Sequence, residues 1–155
     1  MQELTDILDE AELATLRAAY DPNALLNANK SVLARVYPRL MPWQAMLGSV
    51  FFQDSPLAPR DRELALIALL AHRSPDVALS DHVYWGLMEG VSVVEICEVI
   101  GLTGQYCGMP TYTQAVLTLF RTLGVLKRLA ASADPGTAAV HHALVSEFVG
   151  AETTR

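Results

Sequence analysis

The sequence predicts an all-α protein, a helical bundle of about seven to eight helices. Apolar residues recur at intervals of three or four along most of the chain, which is the spacing of one helix face. Prolines, glycines and a capping box separate these segments. No segment alternates apolar and polar residues as a half-buried strand would. The apolar run of residues 64–70 could be a buried strand by periodicity alone, but its alanine and leucine content favours a helix.

The N-terminal third predicts three helices. The first follows apolar positions over residues 4–20, the second spans 24–37, and the third begins at Pro42, since proline fits the first turn of a helix. Large aromatic residues are more typical of a core or a subunit contact than of a cofactor site. We interpret four of them in that way: Trp43, Phe51, Phe52 and Trp85.

The fourth and fifth predicted helices begin at proline signals. The fourth begins near Pro59 or Arg60, with acidic residues in its first turn, where they favour the helix dipole. The fifth begins at Ser74-Pro75, a cap followed by proline, and runs to residue 89. Gly90 suits the left-handed residue that ends such a helix.

The C-terminal half predicts three more helices. A capping box from Ser92 to Glu95 opens the sixth, which the Gly108 and Pro110 pair interrupts. A seventh helix carries the apolar residues of 112–123. The linker 133–136 then precedes a short helix over 137–149. We expect one domain over residues 1–155, with 133–155 as a C-terminal extension.

Composition limits the classes of function. The formal net charge is −6 and basic residues form no long run, which argues against nucleic-acid binding. The acidic N-terminus is not a targeting peptide and no apolar stretch is long enough to span a membrane, so we expect a soluble, cytoplasmic protein. Hydrophobic residues make up 52% and charged residues 18% of the chain. That balance favours a homo-oligomer, in which sister subunits cover apolar surface.

No pattern predicts a metal or a nucleotide cofactor. Asp81 and His82 are adjacent and so point to different faces of a helix, while His141-His142 is an isolated pair in the tail. Three glycines lack a preceding strand, which a dinucleotide fingerprint requires. We interpret them as sites of close helix packing: Gly101, Gly104 and Gly108.

Four segments within residues 57–123 resemble a known family. In order they are LAPRDRELALIALLA, DHVYWGLMEG, VSVVEICEVI and QYCGMPTYTQAV. They correspond to an R-E-L helix start, a histidine on the next helix, a glycine turn with an E-(I/V)-x-E helix, and a Y-x-G-x-P break. This order is similar to that of the carboxymuconolactone decarboxylase and alkylhydroperoxidase-D family, and the resemblance implies the helical fold of that family.

The sequence departs from the redox branch of that family. There, two cysteines separated by two residues lie between the R-E-L glutamate and the histidine, and they would fall at Pro75 and Ala78 here. Neither residue can form the thiolate that attacks a peroxide. Cys97 and Cys107 lie on later elements and do not match these positions. The resemblance therefore implies the non-redox branch.

The resemblance also nominates site residues. His82 matches the family histidine, and Glu63 matches the R-E-L glutamate that relays protons with it in the redox branch. Each residue also has a structural alternative. His82 could be a histidine buried in a helix interface, and Glu63 could be an acid that favours the dipole in the first turn of its helix. Glu98 matches the second glutamate of the E-x-x-E helix. Tyr106, Cys107 and Tyr112 flank the helix break, where a pocket often forms.

Arginines are candidate clamps for a substrate carboxylate, because guanidinium binds it through two parallel hydrogen bonds. The candidates are Arg60, Arg62 and Arg121, with surface solvation as the alternative for each.

Three hypotheses for function follow. The first is a cofactor-independent acid/base enzyme, a decarboxylase-like lyase or an isomerase, acting on a small unsaturated or lactone-bearing acid, with His82 as the acid/base group oriented by Glu63. The second is a non-catalytic helical subunit that binds a small molecule or a partner. The third, ranked last, is a thiol redox protein that uses Cys107. A trimer or hexamer is the expected assembly.

Overall fold

In the computed structural model, the protein is described over residues 7–24, 55–73 and 76–152, together with the single positions 39 and 42. The described residues fold into six helices and contain no strand, which confirms the all-α class. The helices predicted over 24–37 and from Pro42, the aromatic residues at 43, 51 and 52, and the Ser74-Pro75 start signal lie outside the described residues. None of the described helices is long and apolar enough to cross a membrane.

The first helix, α1, is shorter than the sequence suggested. It spans Glu10–Ala18, whereas residues 7–9 precede it in non-helical conformation. The expected helix included Ile7 and Leu8, and that part of the prediction is wrong. Asp9 is the physical reason, because its side chain and that of Glu12 form a reciprocal capping box that fixes the helix start.

The next two helices follow the predicted signals closely. Helix α2 spans Pro59–Arg73 and α3 spans Asp76–Met88. Gly90 has a φ of +89°, the left-handed conformation expected after α3. Helix α3 is apolar around most of its circumference, and it packs against α1, α2 and the last two helices of the chain. Residues on α3 are therefore in the interior of the bundle.

Helices α4 and α5 form a hairpin. Helix α4 spans Val93–Cys107, begins with the predicted capping box of Ser92 and Glu95, and ends at Gly108, whose φ is +95°. Helix α5 spans Met109–Ala130 and has proline in its first turn. A Cβ atom at Gly104 would lie 2.6 Å from the Cβ atom of Tyr112, so Gly104 permits the close contact of the two helices.

The packing interpretation holds for only one of the three glycines. Gly108 ends a helix through its positive φ, which L side chains rarely adopt. A Cβ atom at Gly101 would meet nothing within 4 Å, so no close contact explains that glycine.

The C-terminal helix completes the bundle. Helix α6 spans Thr137–Glu152 and contacts α3 and α5. Three apolar residues of this helix are buried in the core: Val140, Leu144 and Phe148. The segment predicted to be an extension is thus packed onto the helices that precede it.

Candidate active site

The histidine and the glutamate that were predicted as site residues meet at the interface of α2 and α3. His82 Nδ1 lies 2.7 Å from Glu63 Oε2, a hydrogen-bond distance. Only 12% of the His82 side chain and 7% of the Glu63 side chain are exposed. A carboxylate buried to this degree needs a partner, and the imidazole supplies one. The predicted approach of these two residues is confirmed.

Gly86 allows α2 to approach the histidine. Gly86 lies one turn after His82 on α3 and so faces the same side. A Cβ atom there would lie 3.2 Å from Ile67 Cδ1 and 3.7 Å from Glu63 Cβ. The absence of a side chain thus leaves room for the part of α2 that carries the glutamate.

The imidazole of His82 is held from a second direction by an aromatic ring. Trp85 packs against it edge to face, with ring centroids 4.6 Å apart and an interplanar angle of 81°. Trp85 is partly buried against the core. Glu63 on one side and the indole on the other restrict the orientation of the ring, which is what an acid/base histidine requires.

A tyrosine that sequence reasoning had treated only as an apolar helix position, Tyr20, packs against α3, the helix that carries His82. Burial raises the pKa of Tyr20 well above its ordinary value, and the negative charges of Glu89 and Glu63 raise it further. The ring packs edge to face on Tyr84, with centroids 5.8 Å apart.

Two of the three candidate arginine clamps form ion pairs within the protein. Arg60 on α2 is hydrogen-bonded to Glu95 on α4 and contacts Asp61. Arg121 binds Glu147 of α6 and stacks over the Phe148 ring at 4.4 Å. Both side chains therefore have structural roles, which their interpretation as substrate clamps did not anticipate.

Glu95 also has a structural role. Hydrogen bonds from the Ser92 backbone N–H, then from its hydroxyl, then from Arg60, hold the pKa of Glu95 below its usual value. Its capping role had been expected, whereas its ion pair with Arg60 had not. The third arginine, Arg62, lies partly buried on α2 immediately before Glu63.

The other nominated residues lie at the surface of the α4–α5 hairpin. Glu98, Tyr106 and Cys107 are exposed, and Tyr106 has 89% of its surface accessible. Tyr112 is 37% exposed and packs over Gly104. Their environment is therefore that of an outer face and differs from that of the buried pair.

The two cysteines are free. Burial raises the pKa of Cys97, which disfavours a thiolate at that position. Cys107 is exposed at the end of the same helix, α4, ten residues later. Ten residues of helix separate two positions by about 15 Å, too far for a disulfide between them.

The tail histidines require a correction. His141 is not an isolated residue, because its Nδ1 lies 3.0 Å from both oxygens of Asp81. The hydrogen bond that His141 Nδ1–H donates to Asp81 raises the pKa of His141 above its ordinary value, against the opposing effect of partial burial. Asp81 and His82 do point to different sides of α3, as predicted. Among the described residues, no group of three metal-ligating side chains comes together.

Comparison with known proteins gives one match. A family model described as the carboxymuconolactone decarboxylase family matches residues 41–120, slightly more than half of the 155-residue chain. Searches of curated proteins and of solved structures found no significant match.

Proposed function

Because the chain belongs to the carboxymuconolactone decarboxylase family, we propose that it is an acid/base enzyme acting on a small unsaturated or lactone-bearing acid without a cofactor. One observation carries the proposal: a histidine 2.7 Å from a buried carboxylate, on adjacent helices within the matched region. Family membership supports decarboxylase-like or related chemistry in general, and the pair supports proton transfer in particular.

The proposed chemistry follows from the two ring nitrogens of His82. Nδ1–H donates to Glu63, which fixes the ring and stabilises its protonated form. Nε2 is then the atom that exchanges a proton with substrate carbon. In a decarboxylation, the carbon that loses carbon dioxide keeps the bonding electron pair and takes one proton from Nε2. In an isomerisation, Nε2 removes a proton next to a carbonyl and returns it elsewhere on the same molecule.

Substrate binding is proposed for one residue beside this pair and for four residues on the α4–α5 hairpin. Arg62 is the proposed partner of a substrate carboxylate, since it lies partly buried on α2 immediately before Glu63. Glu98, Tyr106, Cys107 and Tyr112 stay proposed contacts, and their exposure on the α4–α5 hairpin supports a site shared with a second subunit.

We also propose a homo-oligomer, with a trimer or hexamer as the expected state, located in the cytoplasm. The support is a set of apolar side chains that α4 and α5 leave exposed. They are Leu102, Tyr106, Met109, Leu117 and Phe120.

The test uses matched substitutions at two histidine–carboxylate pairs. His82→Gln should reduce turnover by on the order of a hundredfold or more, the size expected for a lost acid/base group. Glu63→Gln should cost less, because it keeps the shape of the partner. His141→Gln is the control, since His141 contacts Asp81 on a different side of α3 from His82. Proton NMR in deuterium oxide detects decarboxylation, double-bond migration and deuterium uptake in a panel of such acids.

The alternative, a non-catalytic helical subunit, predicts a different result. No acid in the panel would react, and His82→Gln and Glu63→Gln would change only ligand affinity or stability. Wild-type turnover that His82→Gln leaves intact would refute the catalytic role of the histidine.

A further inference from the structure

Two polar contacts, one turn apart, join α6 to α3. His141 Nδ1 lies 3.0 Å from each oxygen of the Asp81 carboxylate. The Tyr84 hydroxyl lies 3.3 Å from Thr137 Oγ1. Three residues separate Asp81 from Tyr84 and four separate Thr137 from His141, so the contacts share one face of each helix. We call these four residues the polar seam of α6, and only its Asp81–His141 contact carries charge.

The Asp81 carboxylate depends on the histidine. Only 12% of the Asp81 side chain is exposed. In the part of the chain that the structure describes, the carboxylate bonds to His141 and to no other group. A carboxylate withdrawn this far from water is costly unless it is paired. The His141 side chain is 33% exposed, so its imidazole can exchange protons with the solvent.

The strength of this contact follows the charge of the imidazole. A protonated ring donates a charge-assisted hydrogen bond, which is roughly twice as strong as the neutral one that remains after the proton is lost. The bond to Asp81 raises the pKa of His141, against the opposing effect of partial burial. The contact therefore stabilises the docked helix fully below the unfolded pKa of about 6.5, and this effect is lost as pH rises through the folded pKa.

The other charged and titratable groups on the elements packed around the seam have contacts of their own or face water. Arg121 and Arg128 of α5 bind Glu147 of α6, and arginine keeps its charge at all ordinary pH values. Others are Asp76, bonded to Gln114 and Thr118 of α5; His82, bonded to Glu63 of α2; Arg17 of α1, bonded to the Leu87 carbonyl; Tyr20, whose ring packs on Tyr84; and the exposed His142. His141 is thus the group through which the seam responds to pH near neutrality.

We propose that the Asp81–His141 pair is a pH-sensitive fastening of the C-terminal helix: α6 is held on α3 while the imidazole is protonated, and it opens more often once the imidazole has lost its proton. The opening is local, because the contact joins α6 to α3 alone and because the ion pairs of Glu147 with α5 do not change in this pH range. The fastening does not depend on the proposed acid/base role of His82.

Hydrogen exchange measured by mass spectrometry, with peptides that cover α6, tests the proposal. Wild type and His141→Gln are compared at the same pH, so that the intrinsic exchange rate of each amide cancels. Glutamine still donates a hydrogen bond to Asp81 but carries no charge. The α6 amides of His141→Gln should exchange about fivefold faster than those of wild type at pH 6, the size expected when one hydrogen bond loses its charge. That ratio should fall towards one at pH 9.

Two control variants separate this fastening from general loosening of α6. Glu147→Gln weakens the contacts with two arginines, so it should speed exchange in α6 by the same factor at pH 6 and pH 9. His142→Gln removes the adjacent, exposed histidine and should leave the α6 amides unchanged at both pH values. If His141→Gln does not fold, Asp81→Asn carries the test, with faster exchange at pH 6 and a smaller gap at pH 9.

Three results would overturn the inference. The first is a ratio for His141→Gln that stays the same from pH 6 to pH 9. The second is an equal pH-dependent ratio in His142→Gln. The third is equal acceleration of the amides of α4, which packs on α2 and α5, because the loss would then be global.

Discussion

Replacing Gly104 by alanine tests how the α4–α5 hairpin supports the proposed site. The new Cβ atom would lie 2.6 Å from Tyr112 Cβ and 3.0 Å from Tyr112 Cδ2, closer than real Cβ atoms tolerate. The Cβ atom of Tyr112 is fixed to its backbone, so the helices must shift. Such overpacking costs about 1–3 kcal/mol. The helix gains up to about 1 kcal/mol from replacing glycine, which partly offsets this cost.

Gly101→Ala is the matched variant that separates the cost of the clash from the gain in helix propensity. Gly101 lies on the same helix, and its added Cβ atom would meet nothing within 4 Å. Both substitutions gain helix propensity, so the difference between them isolates the clash with Tyr112. We expect Gly104→Ala to be less stable than Gly101→Ala by about 1–3 kcal/mol.

Urea unfolding at one protein concentration measures that difference, because assembly makes stability depend on concentration. Turnover should also fall in Gly104→Ala if Tyr112 contacts substrate. Equal midpoints for the two variants would refute the packing role of Gly104.

Two other predictions concern pH and assembly. The pKa of His141 is raised by Asp81, so the pair stabilises the fold fully below the unfolded value of about 6.5 and loses this effect as pH rises through the folded value. The stability gap between wild type and Asp81→Asn should therefore shrink from pH 6 to pH 9, and a gap that widens would contradict this linkage. Size-exclusion chromatography with light scattering should show a closed oligomer at micromolar concentration. Tyr106→Glu should weaken this oligomer, because it places a charge in an apolar interface. A monomeric wild-type protein would contradict the proposed assembly.

Local signals predicted much of the fold because they act over a few residues. The capping box at Ser92, the glycine stops at 90 and 108, and the proline start of α2 depend on neighbouring backbone groups alone. The late start of α1 was missed, although Asp9 and Glu12 have capping-box spacing, because the apolar periodicity continued through it.

The candidate site was predicted only where the family resemblance reached. His82 and Glu63 could be paired because their order matches that of the family. Asp81 with His141 joins residues sixty positions apart, and no local pattern relates them. Tyr20 lay outside the segment of resemblance, and its ring meets Tyr84 of α3, a residue more than sixty positions later in the sequence.

Adjacent residues of α3 bind partners on two different helices. Asp81 contacts His141 of α6, and His82 contacts Glu63 of α2. Each residue of a helix advances by roughly 100° around its axis. An insertion or deletion of one residue in the first turn of α3 would turn both side chains away from their partners at once. This helix is therefore locked against axial rotation from two sides, and length changes have to fall outside it, as in the turn that follows Met88.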